Sequence, residues 1–216
     1  MYQLFYYPGN ASMAPHFLLE ELQVEYQLRL VDREVEAQKS ADYLQLNPTG
    51  RIPTLVDKEA AADLVVFESS AICLHLLDKH PQSQLIPSLG DPLRSKFYQW
   101  LMYLNNTVQA ELMIYFYPEK HTLDSSGAQA IASRQEQRVT EMFVLLDTEL
   151  ADKKYLLGDQ LSVCDLFLFM LAGWADGFSI TPMSMQNLNR YLKLLAQRPS
   201  IVQAYKNEGR SLKLYR

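Results

Sequence analysis

Asn47-Pro48-Thr49-Gly50-Arg51-Ile52-Pro53-Thr54-Leu55-Val56, followed by Phe67-Glu68-Ser69-Ser70, is the stretch whose reading decides the fold. It spells a turn, a proline able to take the cis form, a short apolar strand, a second strand and a helix start. Ile52 precedes a proline and is therefore held extended, which leaves its N–H and C=O free to pair with something outside the fold. Glu68 and Ser69 put a carboxylate and a hydroxyl at the start of the next helix, where an amine and a carboxylate can be gripped together. The combination suits a small peptide-like ligand.

Upstream of this stretch, strands and helices alternate. Gln3 to Tyr7 is a short aromatic strand, and Ser12 opens a helix that tolerates Pro15 in its first turn. Tyr26 to Val31 alternates as a strand, and Ala37 to Leu46 reads as a helix that stops at Asn47-Pro48. Thr54 to Val56 and Leu64 to Phe67 form two strands around a polar turn, and Ser69 to Leu77 is a helix ended by His80-Pro81. A parallel βαβ unit followed by an antiparallel hairpin and a helix is compact at this length. Downstream, Pro81 to Pro92 reads as a linker, and the pattern beyond it is helical: Leu93 to Tyr117, Ala128 to Leu150, Ser162 to about Ala175, Met185 to Ala196 and Ser200 to Asn207. Ser162 and Asp165 form a capping-box pair. The expected organisation is an α/β domain over residues 1–80, a linker over 81–92 and an all-α domain over 93–216.

Composition sets the bounds. The chain has 216 residues and a formal net charge of −5, which gives no nucleic-acid footprint. No window approaches a membrane-spanning run, and the N-terminus lacks the basic start and cleavage site of a signal peptide, so a cytoplasmic protein is expected. The two cysteines, Cys73 and Cys164, lie among apolar residues and read as buried thiols. The four histidines, His16, His75, His80 and His121, show no metal-binding spacing.

Four segments, in this order, resemble the cytosolic-type glutathione transferases: Phe5-Tyr6-Tyr7-Pro8-Gly9-Asn10-Ala11-Ser12, Asn47 to Pro53, Glu68-Ser69, and Leu157-Gly158-Asp159-Gln160-Leu161-Ser162-Val163-Cys164-Asp165. The opening segment is most similar to the bacterial beta class. The resemblance covers nearly the whole chain. It implies a thioredoxin-like N-terminal domain with an all-α C-terminal helical domain, glutathione as co-substrate without a metal, a small apolar electrophile as second substrate, and a homodimer.

Carried onto this sequence, the resemblance implies a cis bond before Pro53 and an Ile52 main chain that meets the cysteinyl unit of glutathione like one rung of a sheet. Glu68 would take the α-amino group, and Ser69 with its neighbouring N–H groups the γ-glutamyl carboxylate. Lys39 and Arg51 are both candidates for the glycine carboxylate, although Glu36 to Ser40 fits the beta-class spacing only with a gap. Where beta-class members carry a cysteine, this chain has Ala11. With no cysteine before Cys73, this segment has no thiol to form a mixed disulfide with glutathione.

A thiol titrates near 8.5, so it needs help to ionise at neutral pH. Ser12 is the first candidate donor, Tyr6 the second and Asn10 the third. The second substrate is expected between the domains, against Met102, Asn106, Gln109 and Met113, which recur at helical spacing; the same stripe equally suits packing on a partner helix. Trp174 and Phe178 suit either closing the pocket or packing in the core. Conjugation of glutathione to electrophiles is the expected activity. The rivals are a non-catalytic binding or regulatory protein on the same fold, and another glutathione-dependent enzyme such as an isomerase, a peroxidase or a dehalogenase.

Overall fold

A computed structural model describes residues 1–59 and 62–216. They form two compact units: residues 1–84 with 196–214 and 216, and residues 85–195 with Tyr215.

The first unit is built on a four-stranded sheet of order β2-β1-β3-β4. β1 (Tyr2–Tyr6) and β2 (Tyr26–Leu30) run parallel, joined by α1 (Met13–Leu22). β3 (Thr54–Asp57) pairs antiparallel with β1, and β4 (Leu64–Phe67) antiparallel with β3. α2 (Ala41–Leu46) lies between β2 and β3 in sequence, and α3 (Ser69–Lys79) follows β4. This is the expected βαβ unit with its antiparallel hairpin and closing helix. The polar turn expected between β3 and β4 includes residues 60 and 61, which lie outside the described residues.

All four residues of β3 are buried, as an interior strand with both neighbours paired requires. Met13 to Leu19 of α1 are buried without a break. The expected helix from Ala37 to Leu46 is two pieces, a 3₁₀ turn at Ala37–Lys39 and α2. Ser40 separates them: it is extended (φ −63°, ψ 150°), and its hydroxyl accepts the N–H of Tyr43 at 3.3 Å, which caps α2.

The second unit holds α4 (Leu93–Met102), α5 (Ala110–Phe116), α6 (Ala128–Glu149), α7 (Val163–Trp174) and α8 (Gln186–Leu195). The stretch expected as one helix from Leu93 to Tyr117 passes through a π-helical segment, Tyr103–Gln109, between α4 and α5. α7 is buried from Val163 to Ala172. Its capping box forms: Asp165 accepts the N–H groups of Leu156 and Ser162 and the hydroxyl of Tyr191, each at 2.8 Å, and the hydroxyl of Ser162 at 2.9 Å. Among the described residues no helix is long and apolar enough to cross a membrane.

α9 (Pro199–Asn207), expected within the all-helical region, packs in the first unit against α1. Arg198 forks onto Glu21, with Nε 2.5 Å from Oε1 and Nη2 2.8 Å from Oε2, and the Phe17 ring lies parallel to that of Tyr205. These partners are far apart in sequence, so no local pattern marks them.

Candidate glutathione site

Ile52 owes its position to two buried side chains on α2 and its C-cap. Asn47 donates through Nδ2 to the carbonyl of Arg51 at 2.8 Å and to Thr54 Oγ1 at 3.2 Å. Its Oδ1 accepts the N–H of Thr49 at 3.1 Å and the Thr49 hydroxyl at 2.7 Å. Tyr43 donates its hydroxyl to the same Arg51 carbonyl at 2.7 Å. With residue 51 pinned from both sides, the chain turns into the cis Ile52–Pro53 bond and enters β3. The Ile52 side chain packs with Val31 and Tyr43, beside Phe5, Tyr7 and Ala37. Its main-chain N–H and C=O have no hydrogen-bond partner among the described residues.

The strand registers bring the remaining pieces to it. Phe5 faces Thr54 in the β1–β3 pair, and Thr54 faces Phe67 in the β3–β4 pair. Just beyond these pairs, Tyr7 packs on the cluster that holds Ile52, and Ser69 opens α3. A hydrogen bond closes the arrangement: Ser69 Oγ donates to the carbonyl of Ala11 at 2.9 Å. The Tyr7-to-Ser12 loop, Ile52 and the start of α3 therefore lie together in the first unit.

Glu68 is exposed and stands at the N-cap of α3 with φ 73° and ψ 119°, a conformation that L residues avoid. Its carboxylate has no partner among the described residues. Ser69 is buried, and its hydroxyl proton is committed to Ala11, so the first-turn N–H groups are what α3 offers a carboxylate. Lys39 lies over Gly50: a Cβ on that glycine (φ +61°) would stand 2.7 Å from Lys39 Nζ. The Arg51 side chain is exposed.

The three candidate donors to a thiol differ sharply in placement. Ser12 is fully buried, and its hydroxyl donates to the carbonyl of Tyr7 at 3.3 Å. Tyr6 alternates away from Phe5 and Tyr7 and lies on the side of Glu208. Burial first, then the Glu208 carboxylate, pushes its phenol up. Asn10 accepts the N–H of Ala11 on Oδ1 at 2.6 Å, and this bond fixes the amide so that Nδ2 is left to donate elsewhere.

Along the second unit, Met102, Asn106 and Met113 are exposed and Gln109 is half-buried. Asn106 Nδ2 lies 3.7 Å from Met102 Sδ, and the π segment runs through the middle of the stripe. Trp174 stands edge-on to Phe116, and Phe178 meets Tyr115 at 4.7 Å between ring centres. Cys73 and Cys164 are both buried, and burial pushes the Cys73 thiol up.

Sequence reasoning missed Asn47 and Tyr43 as the supports of Ile52, and Glu208 as a neighbour of the Tyr7-to-Ser12 loop. Asn47 had a faint signal, since an Asn before Pro commonly anchors a turn, and Tyr43 had none. Glu208 had none.

The glutathione S-transferase N-terminal domain profile matches residues 1–78, and the C-terminal domain profile matches residues 103–199. The glutathione S-transferase GstB of Escherichia coli strain K12 is 31% identical over 186 residues, covering 85% of this chain and 86% of that protein. The solved sphingomonad glutathione S-transferase complexed with glutathione is similar at a TM-score of 0.82 and 30% identity, over 97% of this chain and 100% of that one. The bacterial beta-class glutathione S-transferase of Sphingomonas chungbukensis matches at a TM-score of 0.82 and 31% identity, over 96% and 98% of the two chains. With the thioredoxin-like sheet, the helical unit and these likenesses together, the chain belongs to the glutathione S-transferase family.

Proposed function

We propose that this protein conjugates the thiolate of glutathione to small apolar electrophiles. The observation that carries the reading is the Ile52 main chain, unpartnered among the described residues and held in place by Asn47 and Tyr43 beside the loop before α1 and the start of α3. One N–H and one C=O at that edge fit the cysteinyl unit of a tripeptide as a single added rung. Pro53 fixes the direction in which they point. Glu68 would take the α-amino group, and the first turn of α3, with Ser69 buried behind it, the γ-glutamyl carboxylate. Lys39 is favoured over Arg51 for the glycine carboxylate because its ammonium already lies over Gly50.

In this geometry the sulfur faces the Tyr7-to-Ser12 loop. Asn10 is favoured as its donor, since its Nδ2 has no partner among the described residues; Ser12 holds the loop through Tyr7, and Tyr6 lies on the other side of the strand. The reaction is a displacement: the thiolate forms a C–S bond while the carbon–leaving-group bond breaks, and the leaving group departs with its electron pair. The protein contributes proximity and a thiol that ionises more easily. With Ala11 in the turn before α1 and no cysteine ahead of Cys73, this segment offers no thiol for a mixed disulfide, which favours conjugation over disulfide exchange. The family's symmetric dimer is the proposed assembly.

Calorimetry with glutathione, followed by turnover of an aryl halide, tests the reading. Saturable binding with halide release is expected. Absence of binding at millimolar glutathione would leave a non-catalytic partner role. Binding with turnover only of a maleyl compound or a peroxide would move the reaction to the isomerase or peroxidase class.

A further inference from the structure

Arg210 is placed by the way α9 ends. The N–H of Gly209 (φ +66°) bonds the carbonyl of Lys206 at 3.1 Å, and the N–H of Arg210 reaches back to the carbonyl of Tyr205 at 2.8 Å. This is the Schellman closure of a helix on a left-handed glycine, and it fixes the backbone of the residue that follows. The Arg210 guanidinium then lies 5.8 Å from the centre of the Tyr205 ring, which is itself parallel to the ring of Phe17 in α1. Contact with an aromatic face holds a guanidinium in place without spending its N–H donors.

The same guanidinium rests against the turn before α1. Gly9 has φ +72°, and a Cβ there would stand 2.1 Å from Arg210 Nη1 and 2.7 Å from Cζ, so glycine alone leaves it room. Asn10, the favoured donor to the thiol, is the next residue, with its α-carbon about 3.8 Å further on. Arg210 is exposed, and its side chain makes no ion pair or hydrogen bond with the described residues, in a chain with 25 Asp and Glu against 20 Lys and Arg. Glu208, two residues before it, is buried and directed elsewhere, with Oε2 on the Gly9 N–H at 2.9 Å and Oε1 on His16 Nδ1 at 2.7 Å. A planar fork already in position, with its donors unspent, suits a ligand carboxylate bound bidentately.

In the conjugation reading, the two carboxylates of glutathione go to the first turn of α3 and to Lys39, which leaves the Arg210 fork to the other reactant. We propose that Arg210 is a specificity-determining residue that receives a carboxylate carried by the electrophile, so that the second substrates are apolar electrophiles bearing an acid group. This rests on the conjugation reading for its chemistry and on the Gly9–Arg210–Tyr205 geometry for its site. A guanidinium that merely covers Gly9 would serve every electrophile alike, whereas a carboxylate site discriminates by charge.

Two probes of similar shape separate these roles: chlorodinitrobenzene, which is neutral, and chlorodinitrobenzoate, which carries a carboxylate. Each loses chloride to the glutathione thiolate, and their intrinsic reactivities differ. The readout is therefore the ratio of kcat/KM for the benzoate to that for the neutral probe, variant against parent. Arg210→Gln is expected to lower this ratio about fivefold, and Arg210→Lys, which keeps the charge without the fork, about twofold. In the parent the ratio should fall as salt is added, and in Arg210→Gln it should not. An unchanged ratio in Arg210→Gln, whether both rates fall together or neither does, overturns the proposal. Calorimetry with the two finished conjugates, dinitrophenyl glutathione and its carboxylated counterpart, frees the test from turnover. Arg210→Gln should lose about fivefold in affinity for the carboxylated conjugate relative to the neutral one. If the parent turns over neither probe, the conjugation reading falls, and the conjugate pair still decides whether Arg210 takes the carboxylate. If neither conjugate binds the parent, both fall.

Discussion

Glu68 sits at φ 73° and ψ 119°, a conformation that disfavours a side chain by about 1–3 kcal/mol, and its exposed carboxylate meets no partner among the described residues that offsets it. A ligand amine would. Glu68→Gly relaxes the backbone, so its unfolding free energy should equal or exceed the parent's by up to about 1 kcal/mol, while glutathione affinity drops at least about tenfold. Glu68→Gln keeps the strained backbone and loses the charge, and calorimetry should record a drop of similar size. Parent-like affinity in Glu68→Gly would remove this residue from the site. The placement of Ile52, Glu68 and Ser69 was legible in the sequence because it depends on backbone facts, a residue before proline and a helix start. Ser12 and Tyr6 were less so. Whether a hydroxyl proton is already spent on the Tyr7 carbonyl, or which side of β1 a phenol takes against Phe5 and Tyr7, is settled only by the folded partners.

At the scale of elements, β3 and α3 are joined by a buried charge. Asp57 accepts the N–H of Glu59 at 2.9 Å, faces His75 Nε2 at 2.9 Å and has Lys79 Nζ at 3.8 Å. Burial pushes its carboxyl up, but the hydrogen bonds and the nearby cation outweigh burial and leave it below the ordinary value. A carboxylate held low in the folded state stabilises above its unfolded value, near pH 3.9, and that contribution is lost as pH falls through the folded one. Asp57→Asn should therefore be less stable than the parent at pH 7, by about 1–3 kcal/mol, with the gap closing below about pH 4. Urea midpoints that differ equally at pH 7 and pH 3 would contradict this. The same scale shows what periodicity reads well. The strands, α3, α6 and α7 were visible as apolar patterns with stops at His80-Pro81 and a start at Ser162. The break at Ser40 was not, because a serine able to cap a helix looks the same in the middle of one. The π segment at Tyr103–Gln109 also escaped, since its residues keep a helical pattern and only the hydrogen-bond register changes.

Over the whole molecule, the first unit draws its parts from both ends of the chain, with residues 196–214 packed beside residues 1–84. Composition and the proline-rich segment from Pro81 to Pro92 marked the change from mixed to helical structure. They could not assign α9 to the first unit, because that depends on Arg198 meeting Glu21 and Phe17 meeting Tyr205. The Ile52 edge was legible in one continuous stretch, whereas the N–H of Gly9, in the turn before α1, is met by Glu208 from the far end of the sequence. The proposed binding mode docks the tripeptide on this edge through the Ile52 main chain. An isotope-labelled titration can follow the Ile52 amide signal as glutathione is added. A saturable shift of that amide is expected together with those at the start of α3, with the same midpoint as calorimetry. Glutathione binding that leaves the Ile52 amide in place would contradict it.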